Sequence, residues 1–282
     1  MHIAPLQQTP LPQLHAAFLL AFADYLIPMQ LNAGQFAALL LRRGWQPDLS
    51  IAAWHEGQLV GFWLSGIIKD ATPATAYCIS AGVLPAYRRQ GLLRQLHAML
   101  CERLQEQRIK RQQLEVICDN KRAIDAYHQL GFQQQRRLDC YALYQLCPPR
   151  TPWPVQQEEH PRPEQWPPTE WLGFPPSVQN QRNSLLRADP PPRLLTISQD
   201  ACLLASLALF ENGDVAELLV HPDYRRQGMA SSLLYAAHRS HDGPLLLSNI
   251  DGHDQAMHSL LQHHHASYRL SQWEMLRNSD LA

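Results

Sequence analysis

Two short segments hold the residues best suited to chemistry. Residues 83–91 (VLPAYRRQG) and 220–228 (VHPDYRRQG) agree at seven of nine positions, and each places Arg-Arg-Gln-Gly between an apolar run and a helix-period pattern. A helix that begins at such a turn leaves its first backbone N–H groups without partners, at the positive end of its dipole. Glycine lets the backbone approach an anion with no Cβ in the way, and arginines bring charge and forked donors to the rim. Each copy is therefore predicted to hold a pyrophosphate-like anion. The bland alternative is a glycine that relieves a tight turn beside solvated arginines; recurrence in matching contexts counts against it.

The elements that must position these turns are also repeated. Apolar runs at 77–83 and 215–220 read as strands, and Leu92, Leu96, Leu100 and Leu104, like Met229, Leu233 and Ala237, mark the helices that follow. Gly91 returns as Gly228 after 137 residues, the length of a domain, so the 282-residue chain reads as a duplication. Residues 148–168 are dense in proline, which fixes φ and removes backbone donors, and read as a linker between domains at 1–147 and 169–282. Trp153, Trp166 and Trp171 suggest a join packed on a domain surface. Upstream, 35–43 reads as a helix stopped by Gly44, and strands at 49–54 and 58–68 flank a tight turn at His55, Glu56 and Gly57. Strand 113–118, helix 121–130 and a last strand pair from Phe132 to Tyr144 complete the first half. The second half repeats this with strands at 194–198, 201–211, 215–220, 245–248 and 268–276 and a helix at 256–262. The order is mixed α/β.

With these residues in view, Arg88-x-x-Gly91 and Arg225-x-x-Gly228-x-Ala230 resemble the acyl-CoA loop of the GNAT acetyltransferases, Gln/Arg-x-x-Gly-x-Gly/Ala. The resemblance implies two tandem GNAT folds, each a mixed, mostly antiparallel twisted sheet flanked by helices. It implies cofactor contacts at Val83, Arg88, Arg89, Gln90, Gly91, Leu92 and Leu93, and at Val220, Arg225, Arg226, Gln227, Gly228, Met229 and Ala230. Leu93 departs from the pattern, standing where Gly or Ala is usual. Residues 114–132 (LEVICDNKRAIDAYHQLGF) are similar to the family's second CoA-side motif. By the residues alone, Asn120 is a good N-cap, Ala123, Tyr127 and Leu130 share a helical face, and Gly131 is a helix stop. By resemblance, Asn120 contacts the cofactor and Tyr127 protonates the departing CoA thiolate. In the second half His253 falls at the asparagine position and Leu260 at that of Tyr127, with His264 and His265 replacing the terminal Gly-Phe, so no acid is evident there. Glu217 is a candidate water-activating base in that half. The expected function is N-acetyl transfer from acetyl-CoA, as co-substrate and without metal, to the amine of a small molecule or peptide; the alternative is a CoA-sensing or structural binding module. The amine's base is not evident beyond Glu115, a cysteine relay through Cys78 or Cys118 is less economical, and Asp24, Tyr25 and Trp63 are candidates for the acceptor pocket.

Composition narrows the rest. Hydrophobic residues make up 45% and charged residues 17%, enough apolar content for a core in each half. Lys plus Arg is 24 against 25 for Asp plus Glu, and neither loop lies in a basic stretch with interleaved aromatics, which argues against a nucleic-acid partner. The apolar stretch 18–22 has no basic residue before it and falls short of a membrane span. Cys78, Cys101, Cys118, Cys140, Cys147 and Cys202 form no paired framework and read as free thiols in a cytoplasmic protein. His253, His258 and His263 to His265 lack the spacing and carboxylate partner of a metal site.

Overall fold

The computed structural model describes residues 1–68 and 73–278. By contact the chain divides into two units, Met1–Gln135 together with the chain from Trp273, and Arg136–Gln272.

In the first unit β1 (His2–Pro5) is followed by α1 (Leu11–Ala21) and α2 (Ala33–Arg42). Leu14, Ala17, Phe18 and Ala21 form the buried face of α1, at the spacing of one helical stripe. Asn32 and Gln35 cap α2 reciprocally, each side chain accepting the other's backbone N–H at 2.9 Å. A hairpin of β2 (Ile51–His55) and β3 (Gln58–Ile68) turns on Glu56 and Gly57, both at positive φ. β4 (Thr75–Val83) pairs antiparallel with β3 from Gly61↔Val83 to Ile68↔Thr75. α3 (Leu92–Glu106) buries Leu92, Leu96, Leu100 and Leu104 in one core with Val60, Trp63, Val116 and Met275. β5 (Arg111–Ile117), α4 (Lys121–Gln129) and β6 (Gln133–Leu143) follow. The division between units falls inside β6.

In the second unit β7 (Gln156–Glu158), α5 (Arg182–Leu186), β8 (Arg193–Gln199), β9 (Cys202–Leu209) and β10 (Val215–Val220) precede α6 (Met229–Arg239), β11 (Leu245–Asp251), α7 (Gln255–His263) and β12 (Ser267–Asn278). Four of its strands form a sheet in the order β10-β9-β8-β7, and β11 pairs antiparallel with the end of β6. α6 buries Met229, Leu233, Leu234 and Ala237 against Leu195, Leu207 and Leu247. The last residues of β12 belong by contact to the first unit, where Met275 is buried.

Several expectations change. β1 and α1 have no counterpart among the expected elements: the apolar stripe of α1 begins behind Pro10 with no side-chain cap, so its start carries no polar signal. The expected strand pair from Phe132 to Tyr144 is one strand, β6, with no turn inside it. The proline-rich stretch contains β7, which pairs with β8 in the register Gln156↔Thr196. Trp153 packs on the second unit's core, and Trp166 and Trp171 are 7% and 9% exposed. By contact this stretch lies wholly within the second unit. Residues 279–282, the end of the second expected domain, lie outside the described residues.

Candidate functional site

The two repeated turns have the same construction. β4 runs parallel to β5 only at Thr75–Tyr77 against Arg111–Gln113, after which no ladder joins them. Among the described residues β10 and β11 share no ladder, and on that side β11 makes the isolated bridge Leu246↔Asp214. Each unit thus has a strand whose end has lost its parallel neighbour. The Leu84 N–H donates to Val60 O at 2.9 Å and the His221 N–H to Leu204 O at 2.8 Å. With the pairings Gly61↔Val83 and Ala205↔Val220, these bonds make Val83 and Val220 members of non-hydrogen-bonded pairs. Their own N–H groups therefore face the side on which the neighbouring strand has parted.

Arg89 and Arg226 then take positive φ (63° and 65°), as do Gly91 and Gly228 (73° and 83°). These left-handed positions turn successive N–H groups to one side. The first backward bonds of α3 and α6 are Gln95 N–H to Gly91 O and Ser232 N–H to Gly228 O. Among the described residues the amides from Arg89 to Arg94 and from Arg226 to Ser231 donate to nothing. A Cβ built on Gly228 would meet no atom within 4 Å, and one on Gly91 only Arg94 Nη2 at 3.9 Å. The glycines are required by φ and leave an open cradle, which fits a diphosphate.

The side chains have unequal roles. Leu92 and Met229 are buried in the cores and Leu93 packs against one, so they offer the loop only backbone donors. Arg88 is half-exposed, but its guanidinium is bonded within the protein and is not a free rim cation. Its Nε donates to Val83 O at 3.0 Å, Nη2 donates to Ala21 O at 3.0 Å, and both Nη atoms hold the Asp24 carboxylate, at 2.6 and 2.7 Å. Asp24 is accordingly held below the usual carboxylate range by Arg88. Arg225 repeats the pattern without a carboxylate, donating to Val220 O at 3.3 Å and Trp171 O at 2.8 Å. The arginines braced in this way shape the turn, while Arg89 and Arg226 are exposed at its rim. Gln90 Nε2 donates to Ala86 O, and the Gln227 carbonyl accepts the Trp153 indole N–H at 2.8 Å.

Asn120 is the N-cap of α4, its Oδ1 accepting the Ala123 N–H at 3.2 Å. Tyr127 lies on the buried face of that helix, 9% exposed, with its ring edge-on to Trp63 at 6.0 Å. Burial raises its phenol well above the ordinary value, helped by Cys78 and Tyr25 nearby. Burial likewise raises Cys78 and Tyr77, so neither is ionised near neutral pH. Glu115 accepts the Tyr77 hydroxyl at 3.3 Å. Trp63, 1% exposed, is a core residue and not an open wall of an acceptor pocket.

In the second unit the cap moves the alignment by one residue. Asp254 accepts the Met257 N–H at 3.0 Å as Asn120 accepts that of Ala123. Asp254, not His253, therefore stands at the Asn120 position, and Leu261, not Leu260, stands at that of Tyr127. The helix ends agree: Phe132 N–H donates to Tyr127 O and Ala266 N–H to Leu261 O, with Gly131 and His265 both at positive φ. Leu261 is 1% exposed and carries no proton to give. Glu217 is inward-facing and tethered, both oxygens accepting from Arg182 Nη2 at 3.0 Å, while Arg182 lies 4.6 Å over the Trp166 ring. A cavity of about 690 Å³ opens between the Val220 end of β10, the start of α6 and α7. Residues 172–177, Asp251, Asp254 and His263 line it; of these the sequence singled out only His263, in the histidine group weighed as a metal site. Among the described residues no three His, Cys, Asp or Glu side chains gather as a metal set, and no helix is long and apolar enough to cross a membrane.

The sequence profile of the acetyltransferase (GNAT) family matches twice, at residues 19–132 and 140–241, and the chain belongs to that family. No curated protein sequence matches it. Among solved structures, the tandem GNAT protein from the clavulanic acid biosynthesis pathway is 14% identical, with a TM-score of 0.69 over 100% of this chain and 99% of its own. A GCN5-related N-acetyltransferase from Sphaerobacter thermophilus is 15% identical, with a TM-score of 0.68 over 98% of this chain and 95% of its own. A GCN5-related N-acetyltransferase from Anabaena variabilis is 14% identical, with a TM-score of 0.64 over 99% of this chain and 73% of its own. The chain is thus a mixed α/β protein made of two GNAT folds in tandem.

Proposed function

We propose that the chain transfers an acetyl group from acetyl-CoA to the primary amine of a small molecule or peptide, with the chemistry in the first unit. The observation that carries this reading is the row of undonated amides from Arg89 to Arg94, beside a Val83 N–H that faces the gap between β4 and β5. The amides and Arg89 would hold the diphosphate of acetyl-CoA. The Val83 N–H would orient the thioester and draw charge from its carbonyl as the amine attacks. Tyr127, protonated at any physiological pH, then gives its proton to the sulfur as the C–S bond breaks. The amine's proton leaves through water or through Glu115, which Tyr77 holds in place on β5. Six free cysteines favour a reducing, cytoplasmic setting.

For the second unit a binding role without turnover is favoured by one residue, Leu261 in the place of Tyr127. Its loop, Val220, Arg225, Arg226, Gln227, Gly228, Met229 and Ala230, would still hold acetyl-CoA. Calorimetry on the whole chain tests both claims, with Gly91→Asp and Gly228→Asp each putting a carboxylate where a phosphate would lie. Two acetyl-CoA sites are expected, one lost in each variant. No heat from the unmodified chain refutes the proposal.

A further inference from the structure

Resting on that reading of the first site, we propose that Asp24 is a positioning residue for acetyl transfer, which acts through Arg88 on the end of β4 that meets the thioester. Asp24 then serves the cofactor side and not the acceptor amine.

Arg88 spends its guanidinium donors on three separate pieces of the first unit. Nε holds the carbonyl of Val83, the last residue of β4, at 3.0 Å. Nη2 holds the carbonyl of Ala21, the last residue of α1, also at 3.0 Å. That carbonyl is one of those a helix leaves unpaired at its end, where a cation also suits the dipole. The fork of Nη1 and Nη2 takes the two oxygens of Asp24, in the connection after α1, at 2.6 and 2.7 Å. The pieces lie close together. A Cβ built on Gly82 would meet Phe62 Cζ at 2.8 Å and Ala21 Cβ at 3.0 Å, so α1 rests directly on β4 one residue before Val83.

Asp24 occupies the face of Arg88 that matters most beside a diphosphate. The Nη fork is the edge with which a guanidinium grips a phosphate in two-point fashion, and the carboxylate already fills it. Arg88 therefore stays on Val83 O when an anion enters the turn, although Arg89 and the amides beside it are open to that anion. Val83 is held on its far side by two bonds, Arg88 to its carbonyl and the Leu84 N–H to Val60 O. Its own N–H then keeps one direction, into the gap between β4 and β5. In the second unit, for which turnover is not proposed, Arg225 has no carboxylate and its bond to Val220 O is 3.3 Å. The side chains of Arg88 and Asp24 are 37% and 57% exposed, so their pair adds little to stability and its loss leaves a folded chain.

The test uses the whole chain, acetyl-CoA and the amine that gives fastest thiol release in a screen. In Asp24→Asn, acetyl-CoA affinity by calorimetry should be no weaker, because the turn amides are untouched and the released Arg88 fork can reach the diphosphate. Over the same substitution kcat should fall by about tenfold or more, as the thioester loses its alignment. Asp24→Glu, which keeps a carboxylate for the fork, should recover most of that rate. A merely structural clamp would lower affinity, kcat and the denaturant midpoint together. Unchanged kcat in Asp24→Asn, or affinity lost in step with kcat, overturns the proposal. Independently of turnover, nitrogen NMR of the chain without and with acetyl-CoA should show the Val83 amide signal displaced in Asp24→Asn and that of Val220 unmoved. A Val83 signal that stays in place in both states also overturns it. Absence of acetyl-CoA binding or of thiol release in the unmodified chain defeats the acetyl-transfer reading instead, and the role of Asp24 falls with it even if the Val83 signal moves in the free chain.

Discussion

Acidification should weaken the first unit through one histidine that stands behind the proposed acid. His97 is 4% exposed, its Nε2 lies 2.9 Å from Gln112 Oε1, and its ring is 5.0 Å from that of Trp63, which in turn carries Tyr127. Burial draws its pKa from 6.5 down to about 4, with Arg277 adding to the effect and the Gln112 bond opposing it. The folded state therefore refuses a proton that the unfolded chain accepts. Stability is fully present above the unfolded value and is lost as pH falls through 6.5 toward 4. At pH 5 the unfolded histidine is almost wholly charged and the folded one almost wholly neutral, a loss of about 2 kcal/mol. Amide exchange of α3 and β5 in the unmodified chain and in His97→Gln, at pH 7.5 and at pH 5, isolates this contribution because other titrations cancel in the difference. The unmodified chain should lose about 2 kcal/mol more than the variant over that interval. Equal losses would show that the buried imidazole does not govern the acid limb.

Two further outcomes follow from the site. Tyr127→Phe should leave acetyl-CoA affinity unchanged by calorimetry while thiol release falls on the order of 10²-fold, because it removes the proton and little volume. Trp153→Phe removes the indole donor from Gln227 O. Acetyl-CoA affinity at the second loop should fall by up to about tenfold, a neutral hydrogen bond's worth, with the first site unmoved.

How much of this was legible depended on how local each feature is. The backbone of the turns was readable because the parts that announce it lie within ten residues: the strand end, the left-handed glycine and the free helix start. Asn120 and Tyr127 were readable for the same reason, as cap and face of one helix. The roles of the arginines were not. That Arg88 braces Asp24 depends on a contact across 64 residues, and no spacing announces it. The misplacement of His253 had another cause: counting from a strand end cannot find a cap, whereas the Asp254 to Met257 bond does. The proline-rich stretch misled by composition, since prolines exclude it from a central strand but not from the edge strand β7 or from burying Trp166 and Trp171.

The same contrast between local and distributed parts explains why the two units came to differ, and it yields a last expectation. A phosphate turn is self-contained and survives duplication as one nine-residue piece. A proton donor needs a hydroxyl at one helical position and packing around that position that leaves room for the ring. In the second unit the phenol is gone: Leu261 stands in its place, behind a cap that is Asp254 where the first unit has Asn120. Restoring one part should therefore fail. Leu261→Tyr forces a larger side chain into a site only 1% exposed, at a cost of about 1–3 kcal/mol from overpacking. In a chain already carrying Tyr127→Phe, this substitution should lower the denaturant midpoint of the second unit and return no thiol release. Recovered release would mean that a hydroxyl at that position suffices for the proton to move.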